Sequence, residues 1–436
     1  MGLNLDRVVT GSGSTPLDQL VQQLWQGQVD TGEVRVVIDP APNPNWQEQE
    51  SYWVLPGIAH ARILVPRADR RVTAGSLLQY SALRPWKANV VRNGLGYVAH
   101  TGVRPGLHRL SVQALVGREG PPVASRLPIA EVQGQLQALQ NSVDQHVQLH
   151  ASIGIRTGDN RKPTLQLIDS LGRPAGYAKV AWNESSRQFI TTETAVLQEI
   201  GNSSAAMRAP GLLCSGELHG FPYLVTAPLP PDVRAVRRGV EPPTSREFYS
   251  LCPVVRMDHV ATSIHFQQLC KRLSAPVSAG DLELLGVANH LAGVLRERNP
   301  RMPIAERWHG DLVPWNTARD TAGVLWCWDW ESSERDAVAG LDAVHWAFSV
   351  RRESGMGAST ENLSASILEA GQHLHAAGLR TDSWADLAAI YALVMTERAW
   401  ALARENGGWV RSWISPKELM DLMHAAEGKL TAPLLG

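Results

Sequence analysis

The chain has 436 residues, room for two or three domains. With 44% hydrophobic and 19% charged residues it has enough apolar material for packed cores, which excludes a largely disordered polymer. Lys and Arg number 41 against 42 Asp and Glu, a net charge of −1, so no basic excess points to nucleic acid and no basic run points to a membrane surface.

Leu17 to Leu24 repeats apolar residues at 17, 20, 21 and 24, which predicts a short helix. Val34–Ile38, Tyr52–Leu55 and Arg62–Pro66 read as strands, separated by Pro-rich loops such as Asp39–Pro44. Gly75–Leu83 is a second helix candidate, and His108–Val116 alternates as a strand does. Residues 1–140 carry no catalytic motif. They are expected to be a small α/β module: a cap, a substrate-recognition element or a partner-binding domain. Residues 127–145 look helical and would link this module to the next. From His146 the pattern turns β-rich: Val147–Ile155, Thr164–Asp169 and Tyr177–Trp182 are three strands. A helix over Thr192–Ile200 and an apolar strand over Pro222–Ala227 follow, ending in Pro228-Leu-Pro-Pro231. Beyond about 255 the chain reads as mainly helical, with several helices over 360–427.

Cys214, Cys252, Cys270 and Cys327 are widely spaced, with no CxxC pair, which fits neither a disulfide framework nor a zinc site. No uncharged apolar stretch reaches the ~18 residues of a membrane helix. The start shows no basic segment followed by an apolar one, so no signal peptide is expected. A reduced, cytoplasmic setting is the expectation.

The strongest signal is Trp308-His-Gly-Asp-Leu-Val-Pro-Trp-Asn316, followed by Trp326-Cys-Trp-Asp-Trp-Glu331. Asn316–Arg319 reads as a strand, Asp320–Gly323 as a tight turn and Val324–Trp328 as the return strand. Such a hairpin brings Asn316 and Asp329 to one end, with Asp311 on the loop entering it. Phosphoryl transfer needs this set: a carboxylate to hold the acceptor hydroxyl and oxygen ligands for Mg²⁺. The other histidines, His290, His345, His373 and His375, fall on helical segments where core or surface roles are expected. There is no GxSxG elbow, HExxH or Walker loop.

The HGDLxPxN segment followed by a strand ending in DWE resembles the aminoglycoside phosphotransferase / choline kinase family, a small-molecule branch of the protein-kinase-like fold. The resemblance spans roughly 145–430. It implies an α+β, bilobal protein-kinase-like fold: a β-rich N-lobe over 141–230 and a mainly helical C-lobe over 231–436, preceded by the small α/β module of 1–140. It implies ATP and Mg²⁺ as cofactors, Asp311 as catalytic base or hydroxyl-orienting residue, and Asn316 and Asp329 as Mg²⁺ ligands. His309 would be structural in the catalytic loop and Asp342 a scaffold residue. Lys179, between apolar residues on the third strand, would hold the phosphates and pair with Glu193, although Glu199 could pair with it instead. Ser152–Asp159 has two glycines but no GxGxxG. Ile153 and Gly154 would flank the nucleotide there, and backbone groups near Thr226 and Ala227 would meet the adenine edge.

The implied activity is ATP-dependent phosphorylation of a hydroxyl on a small molecule: a sugar, an amino alcohol or an aminoglycoside-like compound. Neither nucleic acid nor membrane is an expected partner. The extra N-terminal module suggests an alternative, a nucleotide-binding pseudokinase whose residues 1–140 bind a protein partner. A protein kinase is disfavoured by HGD in place of HRD and by the lack of an APE-like segment after Asp329.

Overall fold

The computed structural model describes residues 7–9, 15–80, 83–84, 86–116, 127–139, 148–155, 162–201, 206–236, 241–276, 279–405, 408–409 and 414–431. The first long helix, Pro16–Leu24, begins with a reciprocal cap. The Asp18 N–H donates to the Thr15 hydroxyl at 3.2 Å, and the Asp18 carboxylate accepts from the Thr15 N–H at 3.1 Å. Pro16 sits at the first helical position, where no N–H is needed. Leu17, Leu20, Val21 and Leu24 form one buried stripe. Each such side chain stabilises the fold by about 1.5–3 kcal/mol.

Among the described residues ten strands build one sheet, with every neighbouring pair antiparallel. Their order is Arg7–Val8, Val34–Ile38, His108–Leu115, Trp46–Leu55, Ile63–Pro66, His150–Gly154, Thr164–Ile168, Pro174–Val180, Phe221–Thr226 and Leu212–Leu218. The ladder runs unbroken through the position expected to divide two modules, because Ile63 pairs with Gly154 and Leu64 with Ile153. The described part of 1–140 therefore completes a sheet whose next strand would otherwise offer an open edge. Leu64, Ile153 and Leu165 lie in the same core. A close backbone approach adds to the join: Gly75 lies against the carbonyl of Gly172, where a Cβ would not fit. Met1–Gly201 and Pro210–Arg234 make one compact unit; Asn202–Ala209 and Ala235–Gly436 make the second.

The first unit departs from the sequence pattern in its helices. The helix read over 75–83 runs from Arg70 to Leu78, capped by Asp69, whose carboxylate accepts from Arg71 N–H at 2.8 Å. Helix Trp86–His100 was not read at all. Only its Gly96 and Ala99 are fully buried, with Leu95 partly buried against the neighbouring core, while Trp86, Val90, Val91 and Tyr97 stay exposed, so its apolar residues do not mark a buried stripe. The helix read over 192–200 begins earlier, at Glu184, behind an Asn183–Ser186 capping box. Helix Pro128–Leu139 covers the described part of the 127–145 segment.

The second unit is helical as expected beyond 255, but it also holds strands. Val254–His259, Arg301–Trp308 and Glu334–Val338 form an antiparallel sheet with Arg301–Trp308 in the middle. Pro303 within that strand hid it from a pattern reading. Thr317–Arg319 pairs antiparallel with Leu325–Cys327, which pairs parallel with Met207–Arg208. Helices Ile264–Leu273, Leu282–Arg298, Leu341–Arg351, Thr360–Ala376, Trp384–Glu405 and Pro416–Thr431 supply the bulk. The architecture is α+β. Among the described residues no helix is long and apolar enough to cross a membrane, and the four cysteines are buried and free.

Candidate active site

In the first unit, Lys179 lies on Pro174–Val180, paired with Thr164 on one side and Leu224 on the other. Its Nζ donates to both carboxylate oxygens of Glu193, at 2.7 and 2.6 Å. Glu193 is on the buried face of helix Glu184–Ile200 with Ile190, Val196 and Leu197, whereas Glu199 is exposed. The side chains of Lys179 and Glu193 are only 13% and 2% exposed. A buried carboxylate at that place requires a cation beside it.

The other residues expected to meet a nucleotide sit differently. Ile153 is fully buried in the core, on a strand paired on both sides, so its side chain packs the sheet rather than facing a ligand. Gly154 ends that strand with open space where a Cβ would be. The loop over 156–161 lies outside the described residues. Thr226 is nine-tenths buried and paired with Tyr177 and Leu212. The Ala227 N–H donates to the Gly211 carbonyl at 2.7 Å, so this amide is engaged in the sheet and is no donor for an adenine edge.

The second unit builds its site on a loop. Gly310 has φ +85°, and a Cβ there would collide with the Ser332 carbonyl, so only glycine fits. The carboxylate of Asp342, at the start of helix Leu341–Arg351, accepts from the His309 N–H at 2.8 Å and the Gly310 N–H at 3.1 Å. Burial lifts its carboxyl to about 6, although these two donors and the Arg398 charge pull it down. The His309 ring accepts the Asp311 N–H at Nδ1 (3.2 Å) and donates from Nε2 to the Trp328 carbonyl (3.2 Å). This ties the loop to the far end of the hairpin. Burial pushes the ring down to about 4, so it is neutral at physiological pH. Trp330, fully buried, packs on it with ring centroids 4.3 Å apart.

Asp311 is fixed through both oxygens. Asn316 Nδ2 donates to Oδ2 at 2.9 Å and to the Asp311 carbonyl at 3.0 Å. His345 Nε2 lies 3.3 Å from Oδ1, and an Arg398 guanidinium nitrogen lies 3.7 Å from the same atom. Arg398 also donates to the Gly310 carbonyl. Burial works against charge on Asp311, but the His345 hydrogen bond and the Arg398 charge outweigh it. They hold this carboxyl well below the usual range, so it is ionised while its side chain stays 35% exposed.

The hairpin after it is locally specified. Asp320 accepts from the Val324 N–H at 2.9 Å and the Trp326 indole at 3.0 Å, and Gly323 takes φ +82° to close the turn. Arg319 grips Glu247 through two bonds, of 2.6 and 3.1 Å. At its end Asp329 has φ 65° and ψ 55°, a left-handed conformation uncommon outside glycine. Such residues cluster where function demands their geometry. A carboxylate oxygen of Asp329 and one of Glu331 lie within 4.8 Å. With its amide nitrogen turned to Asp311, Asn316 keeps Oδ1 as an acceptor. Asn316, Asp329 and Glu331 thus offer hard oxygen donors of the kind Mg²⁺ takes, so the residues fit that ion. Glu331 was visible in the WDWE motif but given no role. His345, Tyr391 and Arg398 were not read as site residues. They lie 34 to 88 residues from their partners along the chain, and no local pattern marks them.

No model of a known protein family matches the chain, and no curated protein matches it. Among solved structures, a candidate fructosamine-3-kinase of Haemophilus somnus 129PT is similar with a TM-score of 0.39 and 11% identity, over 69% of this chain and 96% of that one. The gentamicin–APH(2")-IIa complex is similar with a TM-score of 0.33 and 11% identity, over 67% of this chain and 98% of that one. At this level of likeness neither carries an argument about activity.

Proposed function

We propose that this protein is an ATP- and Mg²⁺-dependent phosphotransferase that moves the γ-phosphoryl group to a hydroxyl of a small molecule. The observation that carries the reading is Asp311: a partly exposed, ionised carboxylate, immobilised by Asn316 and His345 beside a hairpin that ends in the left-handed Asp329. An acceptor-only group held this way can take the hydrogen bond of an incoming hydroxyl and aim its oxygen for in-line attack. Its depressed basicity suits orientation better than early proton removal. Asn316 and Asp329, with Glu331 beside them, would hold Mg²⁺, which when bound offsets phosphate charge. Lys179, oriented by Glu193, would neutralise nucleotide phosphates. Sugars, amino alcohols and aminoglycoside-like compounds are the acceptor classes proposed, in the cytoplasm.

A screen of such hydroxyl compounds for MgATP turnover tests this. The wild type should turn over at least one, and Asp311→Asn should lose about 10²–10⁴-fold in kcat. Equal rates in the two proteins would remove Asp311 from the chemistry.

One observation favours the second reading, a nucleotide-binding regulator. Helix Trp86–His100 exposes Trp86 (70%), Val90 (63%), Val91 (61%) and Tyr97 (69%), an apolar face of the kind partner proteins cover. A stable protein complex that needs this face, with no turnover on any acceptor, would favour it.

A further inference from the structure

The phosphotransferase reading gives Asp311 its role but leaves open what aims its carboxylate. Helix Leu341–Arg351 carries two polar residues three apart, hence on one face. Asp342 holds the backbone of the loop through the His309 and Gly310 amides. His345 reaches the side chain of the same loop, with Nε2 at 3.3 Å from Asp311 Oδ1. Its other nitrogen, Nδ1, is 3.0 Å from the Tyr391 hydroxyl.

The proton positions follow from valence. Asp311 Oδ1 faces His345 Nε2 and the donor-only Arg398 guanidinium, and Oδ2 accepts from Asn316, so the carboxylate is placed as an acceptor and Nε2 carries the hydrogen. His345 is 5% exposed, and burial lowers its basicity, so the ring is neutral and has a single N–H. Nδ1 is then an acceptor, and the buried Tyr391 must donate to it. Tyr391 is itself fixed on helix Trp384–Glu405, with its ring edge-on to Phe348 at 5.5 Å. A directed chain results: Tyr391 O–H to His345 Nδ1, then His345 Nε2–H to Asp311 Oδ1.

We propose that His345, locked in one tautomer by Tyr391, is the positioning residue that sets the direction of the Asp311 carboxylate toward the acceptor hydroxyl. The inference rests on the phosphotransferase reading. Asn316 holds Oδ2 and His345 holds Oδ1, with the Arg398 guanidinium farther off at 3.7 Å, so the two bonds restrain the carboxylate plane while each oxygen keeps a lone pair for the hydroxyl. Removing one donor frees the plane. Loosened geometry at a reacting group costs up to about 10²-fold in rate without weakening nucleotide binding.

The experiment compares His345→Leu with His345→Gln, whose amide nitrogen can occupy the place of Nε2, using MgATP hydrolysis with water as the acceptor. His345→Leu should lose about 10- to 100-fold in kcat with KM for MgATP within about twofold, His345→Gln should recover most of it, and Tyr391→Phe should lose less than His345→Leu. Wild-type kcat in His345→Leu, or a glutamine variant as impaired as the leucine one, would overturn the assignment. A second arm, on ring-¹⁵N-histidine protein, needs no turnover. His345 should show a hydrogen-bonded Nε2–H that is lost or shifted in Asp311→Ala. An Nδ1–H tautomer, or a resonance blind to Asp311→Ala, would contradict the proposal. If wild type turns over MgATP with neither water nor any hydroxyl compound of the acceptor screen, the phosphotransferase reading fails, and the imidazole spectrum still decides whether His345 orients Asp311.

Discussion

The two compact units hold their charged groups by different means. In the first, Lys179 and Glu193 stand on a paired strand and a capped helix, and one buried ion pair joins them. In the second, Asp311 stands on a loop made rigid by its neighbours. Asp342 holds its backbone, Asn316 and His345 hold its oxygens, and Arg398 holds the glycine before it. Regular elements need few tethers because their own ladders fix them; a loop must borrow rigidity from elements remote in sequence. The difference predicts where each unit breaks.

The largest stability effect should come from the ion pair. Lys179→Met leaves the Glu193 carboxylate buried without that ammonium, and should cost about 3–5 kcal/mol by chemical denaturation. Adding Glu193→Gln should restore most of it. Equal stability of single and double variants would mean that the pair is not what holds those charges.

In the second unit the weak point is backbone geometry. Gly310→Ala should cost at least about 1–3 kcal/mol, because it imposes a Cβ on a left-handed residue pressed against Ser332 O. Gly323→Ala, equally left-handed but with nothing within 4 Å of its Cβ position, should cost less. An equal loss at both would show that contact with Ser332 contributes nothing.

The smallest effect is in pH dependence. His309, neutral down to about 4, adds stability that is present above its unfolded value of 6.5 and is lost as pH falls toward 4. Asp342, raised from 3.8 to about 6, runs the other way: its burial penalty is absent below 3.8 and full above 6. Each is worth about 3 kcal/mol at 1.36 kcal/mol per pKa unit, so they nearly cancel between pH 4 and 6.5. Asp342→Asn leaves His309 unopposed, and should lose stability on acidification more steeply than wild type in denaturant titrations. Parallel slopes would contradict this.

The same contrast governs what could be read from the sequence. The hairpin was legible because Asp320 and Gly323 encode its turn locally, and helix Pro16–Leu24 because its buried stripe recurs at helical spacing along a short stretch of chain. Helix Trp86–His100 was invisible because it buries Gly96 and Ala99 instead of large apolar residues. Strand Ile63–Pro66 was seen, but not its partner: pairing with His150–Gly154 depends on register, which no single strand encodes. Ile153 was placed on a strand but expected beside the nucleotide; its burial follows from the pairing with Leu64, which neither strand encodes alone. His345 looked like a core histidine, and it is buried; what makes it more is Asp311, 34 residues away.

The most direct test of the central claim, that Asn316, Asp329 and Asp311 serve a metal–nucleotide, is ATP binding with and without Mg²⁺, read as a thermal shift on wild type and Asp329→Asn. A ligand that binds only the folded state must stabilise it, by about 2.7 kcal/mol at a hundredfold excess over Kd. The account predicts a wild-type shift that requires Mg²⁺ and is lost in Asp329→Asn. A shift of equal size in the variant, or none in wild type with any nucleotide, would contradict it.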